Sequence, residues 1–156
     1  MYDLIIKGGT VVDPSQNIHG LNDVSVEDGK IARIAPDIPS AEAKRTVEVK
    51  GKVVIPGLID LHTHVYAGVN ASGVDADIGG VRSGVTTMVD AGSAGCDTFG
   101  GFPKHIIPNT ATEIICFLHI CRTGLATTPD IFSPDSIDMD GTAKVIAENR
   151  NIISGV

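Results

Sequence analysis

The sequence predicts an α/β protein in two parts, an all-β module over residues 1–55 and alternating strands and helices over 56–156. Three observations predict it. The first fifty residues hold short alternating runs of apolar and polar residues, broken by glycine-containing turns. After Pro56 the strand-like runs become almost continuously apolar and alternate with helix-length stretches, the pattern of parallel strands covered on both faces. One of those apolar runs ends in two histidines, His62 and His64, two residues apart.

In the first part, Leu4-Ile5-Ile6 and Thr10-Val11-Val12 flank Gly8-Gly9 and read as strands. Asp23-Val24-Ser25-Val26 and Lys30-Ile31-Ala32-Arg33-Ile34 alternate around Asp28-Gly29. Asp-Gly between such runs predicts a hairpin, because both residues tolerate the positive φ of a type I′ turn. Residues 37–44 read as a loop, and Thr46–Val49 and Lys52–Ile55 as two more strands around Lys50-Gly51. The module is expected to be a small β-sandwich or open β-barrel.

In the second part, Leu58–His64 is the first strand, and a polar, glycine-rich loop follows it. Ala76–Ser83 predicts a short helix ended by Gly84. Val85–Asp90 is the second strand, and Phe99–Ile107 a helical stretch with Pro103 in its first turn. Ala111–Ile120 gives the third strand. A long loop leads to a helix over Met139–Asn149, with Asp138 or Asp140 as N-cap. Ile152–Val156 begins a fourth strand. Strand–helix–strand order implies right-handed crossovers and parallel pairing. Periodicity leaves open whether the sheet is an open doubly wound one or part of a (β/α)8 barrel. No Gly-x-Gly-x-x-Gly follows the first strand, which counts against a dinucleotide site.

Composition narrows the function classes. With 156 residues, 42% hydrophobic and 20% charged, the chain can bury a core and is not a disordered sequence. A net charge of -7 without a Lys/Arg cluster argues against nucleic acid as a partner. No apolar run reaches membrane-spanning length, and Met1-Tyr2-Asp3 lacks the basic start of a leader, so a cytoplasmic protein without a membrane partner is expected. Cys96, Cys116 and Cys121 lack metal-type spacing and a disulfide framework; Cys116 reads as buried filler, and so, on balance, does Cys121.

The histidine pair carries the chemistry. Residues two apart on a strand share a face, so His62 and His64 can offer nitrogen lone pairs to one metal ion. The apolar residues before them predict a buried strand with the histidines where it emerges. Half-buried histidines satisfied by backbone groups are the competing reading, since short motifs match by chance. The flanking residues favour the metal.

The β module followed by Pro56-Gly57-Leu58-Ile59-Asp60-Leu61-His62-Thr63-His64 resembles the amidohydrolase superfamily of metal-dependent hydrolases. The run Gly84-Val85-Thr86-Thr87-Met88-Val89-Asp90-Ala91-Gly92-Ser93-Ala94-Gly95, with Asp97-Thr98-Phe99-Gly100-Gly101-Phe102, resembles its amidohydrolase/deacetylase, dihydroorotase-like subgroup. The resemblance covers essentially the whole chain. It implies a β-sandwich joined to a (β/α)8 barrel, of which this chain holds about three and a half β/α units. It also implies one or two divalent metals, usually Zn2+, that polarise a water and the scissile carbonyl at the C-terminal ends of the strands. Carried over residue by residue, His62 and His64 match the first metal's ligands. Asp60, deeper on the same face, is expected to pack or support them, and Tyr66, continuing the alternation, to meet substrate or form an aromatic rim. A small acylated molecule is the implied partner, and a homo-oligomer of the full-length enzyme is compatible with the family.

Two departures matter. Dihydroorotases place an arginine two residues after the second histidine to hold a substrate carboxylate, and here that position is Tyr66. A phenol cannot replace a guanidinium's charge, so a deacetylase or deacylase cleaving an amide or ester ranks above a dihydroorotase-like cyclic amidase. The family's bridging lysine, further histidines and general-base aspartate are expected beyond Val156. Lys104 and Lys144 lie in predicted helices, His19 in a loop and His105 on a helix. His119 is the one further strand-end histidine, with a structural role favoured, and Asp90 reads as a loop cap rather than a ligand. The expectation is an N-terminal part of a hydrolase, inactive alone. The alternative is a non-catalytic half-barrel product that works only through association, since an open half-barrel exposes edges and apolar surface.

Overall fold

The computed structural model describes residues 1–126 and 134–156. They divide into two units, Met1–Pro56 and Gly57–Val156, each built on its own sheet.

The first unit contains β1 (Leu4–Asp13), β2 (Ile18–Glu27), β3 (Lys30–Ala35), β4 (Thr46–Glu48) and β5 (Val53–Val54), in the order β3-β2-β1-β4 with β5 also paired to β1. The two runs around Gly8-Gly9 are one strand carrying a bulge, in which Lys7 and Gly8 stand opposite the single residue Asp23. Gly8 takes φ +77°, open to a residue without Cβ, and donates its N–H to the Asp23 carboxylate at 2.8 Å. The bulge flips the alternation, so Ile6 before it and Val11 after it line the same apolar groove with Val24, Ile31 and Ile34. Asp28 and Gly29 both have positive φ, 51° and 72°, the hairpin turn their chemistry predicts.

Two expectations for this unit are corrected. His19 lies in β2, opposite Val12, not in a loop, because β2 begins at Ile18 after a tight turn closed by Asn17 at φ 54°. The sandwich or barrel is a single sandwich-like sheet among the described residues. Both β4 and β5 return to β1 in parallel instead of turning over it as a second layer.

The second unit contains β6 (Leu58–Thr63), α1 (Ala76–Gly79), β7 (Val85–Ala91), β8 (Glu113–Phe117), α2 (Met139–Glu148) and β9 (Ile153–Gly155). All neighbours pair in parallel in the order β6-β7-β8-β9. Asp75 caps α1 by accepting the N–H groups of Asp77 and Ile78 at 3.0 Å, and the segment ends at Gly84 with φ +87°. The helix stops after one turn at Gly80, whose φ -91° and ψ -113° leave the helical region, and Gly80 packs against Thr112 with no room for a side chain. Phe102–Ile106 forms a π-helical turn with Pro103 at its start. Asp138 caps α2, accepting Gly141 N–H at 2.8 Å. Residues 127–133 of the predicted long loop lie outside the described residues.

The core of this unit joins Tyr66, Met88, Phe99, Phe102, Ile114 and Cys116. One sequence expectation fails here: β6 is not buried. It is an edge strand, and Ile59 and Leu61 are 60% and 71% exposed, since neither face of its first five residues is fully covered. Among the described residues, no helix is long and apolar enough to cross a membrane.

Candidate functional site

The C-terminal end of β6 carries the histidine pair. The β6–β7 register runs Asp60 opposite Met88 and Thr63 opposite Asp90, three steps on one strand against two on the other. That bulge re-aims the side chains between them. Thr63 is buried, its hydroxyl donating to the Val89 carbonyl at 2.9 Å, while His62 beside it is exposed and His64 half-buried. The two rings stand edge to face, centroids 5.6 Å apart.

His64 is held and His62 is open. The His64 Nδ1 lies 3.1 Å from the Ser93 hydroxyl. Asp90, near the end of β7, and Ser93, in the turn after it, are both fully buried. One Asp90 oxygen accepts Ser93 N–H at 2.7 Å and the other accepts Val65 N–H at 2.8 Å. Gly92, at φ +86°, lets the chain turn back between them. Asp90 is therefore a loop cap, as its position before Gly92 predicts.

Strict alternation would put Asp60, His62, His64 and Tyr66 on one face. The structure keeps only the two histidines together. Asp60 lies before the bulge, exposed, with its carboxylate accepting His62 N–H at 3.1 Å, so it braces the main chain at the pair. Tyr66 lies beyond the strand's end at Thr63. It is 5% exposed, tilted against Phe102 at 4.5 Å, and its hydroxyl donates to the Thr98 carbonyl at 2.7 Å. Burial pushes its phenol above the usual value, while the N–H of Gly101 works against that rise. The expected substrate contact at Tyr66 is thus a core contact in this structure, because the chain stops being extended three residues before it.

His119 follows β8. Its Nδ1 accepts Cys121 N–H at 3.0 Å and its own backbone N–H donates to the Ala94 carbonyl at 2.9 Å. With Ala91, Gly92, Phe117, Leu118, Ile120 and Val156 it lines a groove of about 350 Å³ at the ends of β7, β8 and β9. Cys116 and Cys121 are fully buried, and burial pushes the Cys116 thiol far up, so neither is a reactive thiol. Lys104 lies in the π-helical turn and Lys144 in α2.

A zinc ion takes at least three protein ligands. Two imidazoles on one tetrahedral zinc stand with ring centroids roughly 5 Å apart, so the observed 5.6 Å separation fits half of such a set. Among the described residues, no third His, Cys, Asp or Glu completes a metal-sized cluster. Sequence reasoning missed Ser93. A serine in a Gly-rich turn has no local signature, and only the fold brings it to His64.

No family model matches the chain. Deacetylase Atu3266 of Agrobacterium fabrum is 34% identical over 132 residues, 83% of this chain and 32% of that protein. The crystal structure of a dihydroorotase superimposes with TM-score 0.90 at 28% identity, over 100% of this chain and 42% of that one. A D-aminoacylase with a binuclear metal centre matches with TM-score 0.56 at 25% identity, over 87% of this chain and 34% of that one. The chain spans about a third of the length of the curated deacetylase it matches. It belongs to the amidohydrolase superfamily, matching the N-terminal portion of that family's deacetylases and dihydroorotases.

Proposed function

We propose that this chain forms the N-terminal part of a metal-dependent amidohydrolase of deacetylase type, with His62 and His64 as ligands of a divalent metal, Zn2+ by preference. The observation that carries this reading is the pair of imidazoles at the end of β6, spaced as two ligands of one ion. When bound, such a metal supplies a Lewis acid for a substrate carbonyl and lowers the pKa of water towards neutrality. His62 and His64 would hold it, Asp60 braces the main chain at His62, and the Asp90 turn keeps the end of β6 in place.

The sheet supports the first four strands of a (β/α)8 barrel. Its spatial order equals its sequence order, whereas a doubly wound sheet reverses direction at a switch point. The substrate we assign is a small N- or O-acylated molecule. The buried, committed Tyr66 leaves no cation at the position where a dihydroorotase holds a carboxylate, and the deacetylase match extends over 83% of the chain. A dihydroorotase-like cyclic amidase is the alternative, supported by the dihydroorotase superposition.

Zinc and cobalt(II) titrations of the 156-residue chain test the metal reading. His62→Ala and His64→Ala should each weaken binding at least tenfold, and affinity unchanged in both overturns it. The whole gene product, assayed on N-acetyl and O-acetyl compounds and on dihydroorotate, tests the substrate reading. Hydrolysis of dihydroorotate alone reverses the ranking.

The exposed Ile59 and Leu61 favour a second reading, in which the chain works only by association. Sedimentation decides it: a concentration-independent monomer counts against association.

A further inference from the structure

We infer that the loop after β6 is a hinged element with a closed and an open state, and that the buried amide of Asn70 sets the balance between them. The inference does not depend on a metal at the histidine pair.

Asn70 is 7% exposed, yet neither its Oδ1 nor its Nδ2 has a hydrogen-bond partner among the described residues. Both atoms are enclosed too tightly for a water to touch them in this conformation. A buried amide without partners is costly, and the cost falls on the closed loop alone. The apolar side chains nearby are placed the other way round. Val69 and Val74 are exposed while the amide between them is enclosed, the reverse of what burial favours.

The loop is built to move at its tip. Its base is fixed: Val74 N–H donates to the His64 carbonyl at 2.9 Å, and the Tyr66 hydroxyl donates to the Thr98 carbonyl at 2.7 Å. Three hydrogen bonds close the tip. Val69 N–H and Asn70 N–H donate to the Tyr66 carbonyl at 3.1 and 3.3 Å, and Gly73 N–H donates to the Asn70 carbonyl at 3.2 Å. None of the three reaches outside residues 66–73, so the tip opens without breaking the sheet. Two glycines flank it. Gly68 takes φ +79°, and a side chain at Gly73 would meet the Tyr66 carbonyl and the Asn70 amide oxygen. Val65, Ala67, Val74 and Ile106 supply the apolar wall of a cavity of about 110 Å³ beside the base, room in which the loop can repack. Opening hydrates the Asn70 amide at the C-terminal end of β6, the end at which parallel barrels hold their ligands.

Native-state hydrogen exchange on the 156-residue chain tests the inference. The amides of Val69 and Gly73 should exchange by local opening, at a rate indifferent to guanidinium below the unfolding transition and far faster than that of Cys116 in β8. Asn70→Leu keeps a side chain of similar size and removes the unpartnered amide. It should slow exchange at Val69 and Gly73 by about tenfold or more and raise the melting temperature. Asn70→Asp, whose carboxylate is costlier to bury, should speed exchange at both and lower the melting temperature. Exchange in Asn70→Leu that is unchanged or faster overturns the inference, because the amide then has a partner in the closed loop. A wild-type Gly73 amide that exchanges as slowly as Cys116 overturns it without any variant, even if Asn70→Leu fails to fold.

Discussion

The carboxylate of Asp90, fully buried at the end of β7, accepts the amide hydrogen of Val65 at 2.8 Å and so ties β7 to the residue that follows His64. Its second oxygen serves Ser93 N–H, so removing the carboxylate orphans two amides in a dry site. Each buried donor left without a partner costs about 1–3 kcal/mol. Asp90→Ala should therefore lower stability by roughly 2–4 kcal/mol in urea unfolding. A loss under about 0.5 kcal/mol, the range of ordinary surface changes, sinks this account.

Tyr66→Phe separates a core tyrosine from a substrate-binding one. The variant keeps the ring on Phe102 and loses only the bond to the Thr98 carbonyl. Stability should fall by about 1 kcal/mol, with cobalt affinity unchanged. A change in metal or substrate affinity at unchanged stability would return Tyr66 to the site.

Glycine spacing around the turn after β7 is steric. A Cβ at Gly95 would overlap the carbonyl oxygen of Cys121, whereas at Gly100 it meets open space. Gly95→Ala should cost about 1–3 kcal/mol as overpacking, and Gly100→Ala should stay within about 0.5 kcal/mol of wild type. Equal melting temperatures for the two variants would show that the close approach of Gly95 to Cys121 does not constrain the turn.

The Lys7–Asp23 pair makes the first unit acid-sensitive. Burial alone would raise the Asp23 carboxyl; the Lys7 ammonium at 2.7 Å and the N–H groups of Ile38 and Gly8 outweigh it and hold the carboxyl below its ordinary 3.8. Between the folded and unfolded values the unfolded chain binds more protons, so stability rises with pH there. The contribution is complete above about pH 4 and is lost as pH falls through the depressed value. Asp23→Asn should flatten that acid limb of the stability profile while lowering stability near neutrality. An acid limb identical to wild type assigns the sensitivity elsewhere.

Local chemistry made much of the fold legible. Asp28-Gly29 announces its turn because both residues accept positive φ, Asp138 announces α2 by its cap, and the apolar runs announce β7 and β8. Legibility failed wherever one residue was added or one contact crossed the chain. The bulges at Lys7-Gly8 and between Asp60 and Thr63 shift alternation, and no composition rule marks them. β8 ends at Phe117, short of the predicted Ile120, because His119 N–H turns to the Ala94 carbonyl.

The candidate site divides along the same line. By itself the sequence determined the order of the elements and the placement of His62 and His64 at a strand end, since strand periodicity and turn chemistry act over a few residues. Only the tertiary structure decided that Asp60 and Tyr66 part from the histidines, that β6 lies at an edge, and that Ser93 and Asp90 close around His64. Those outcomes depend on strand register and on hydrogen bonds between residues 25 to 30 positions apart, which local pattern does not encode.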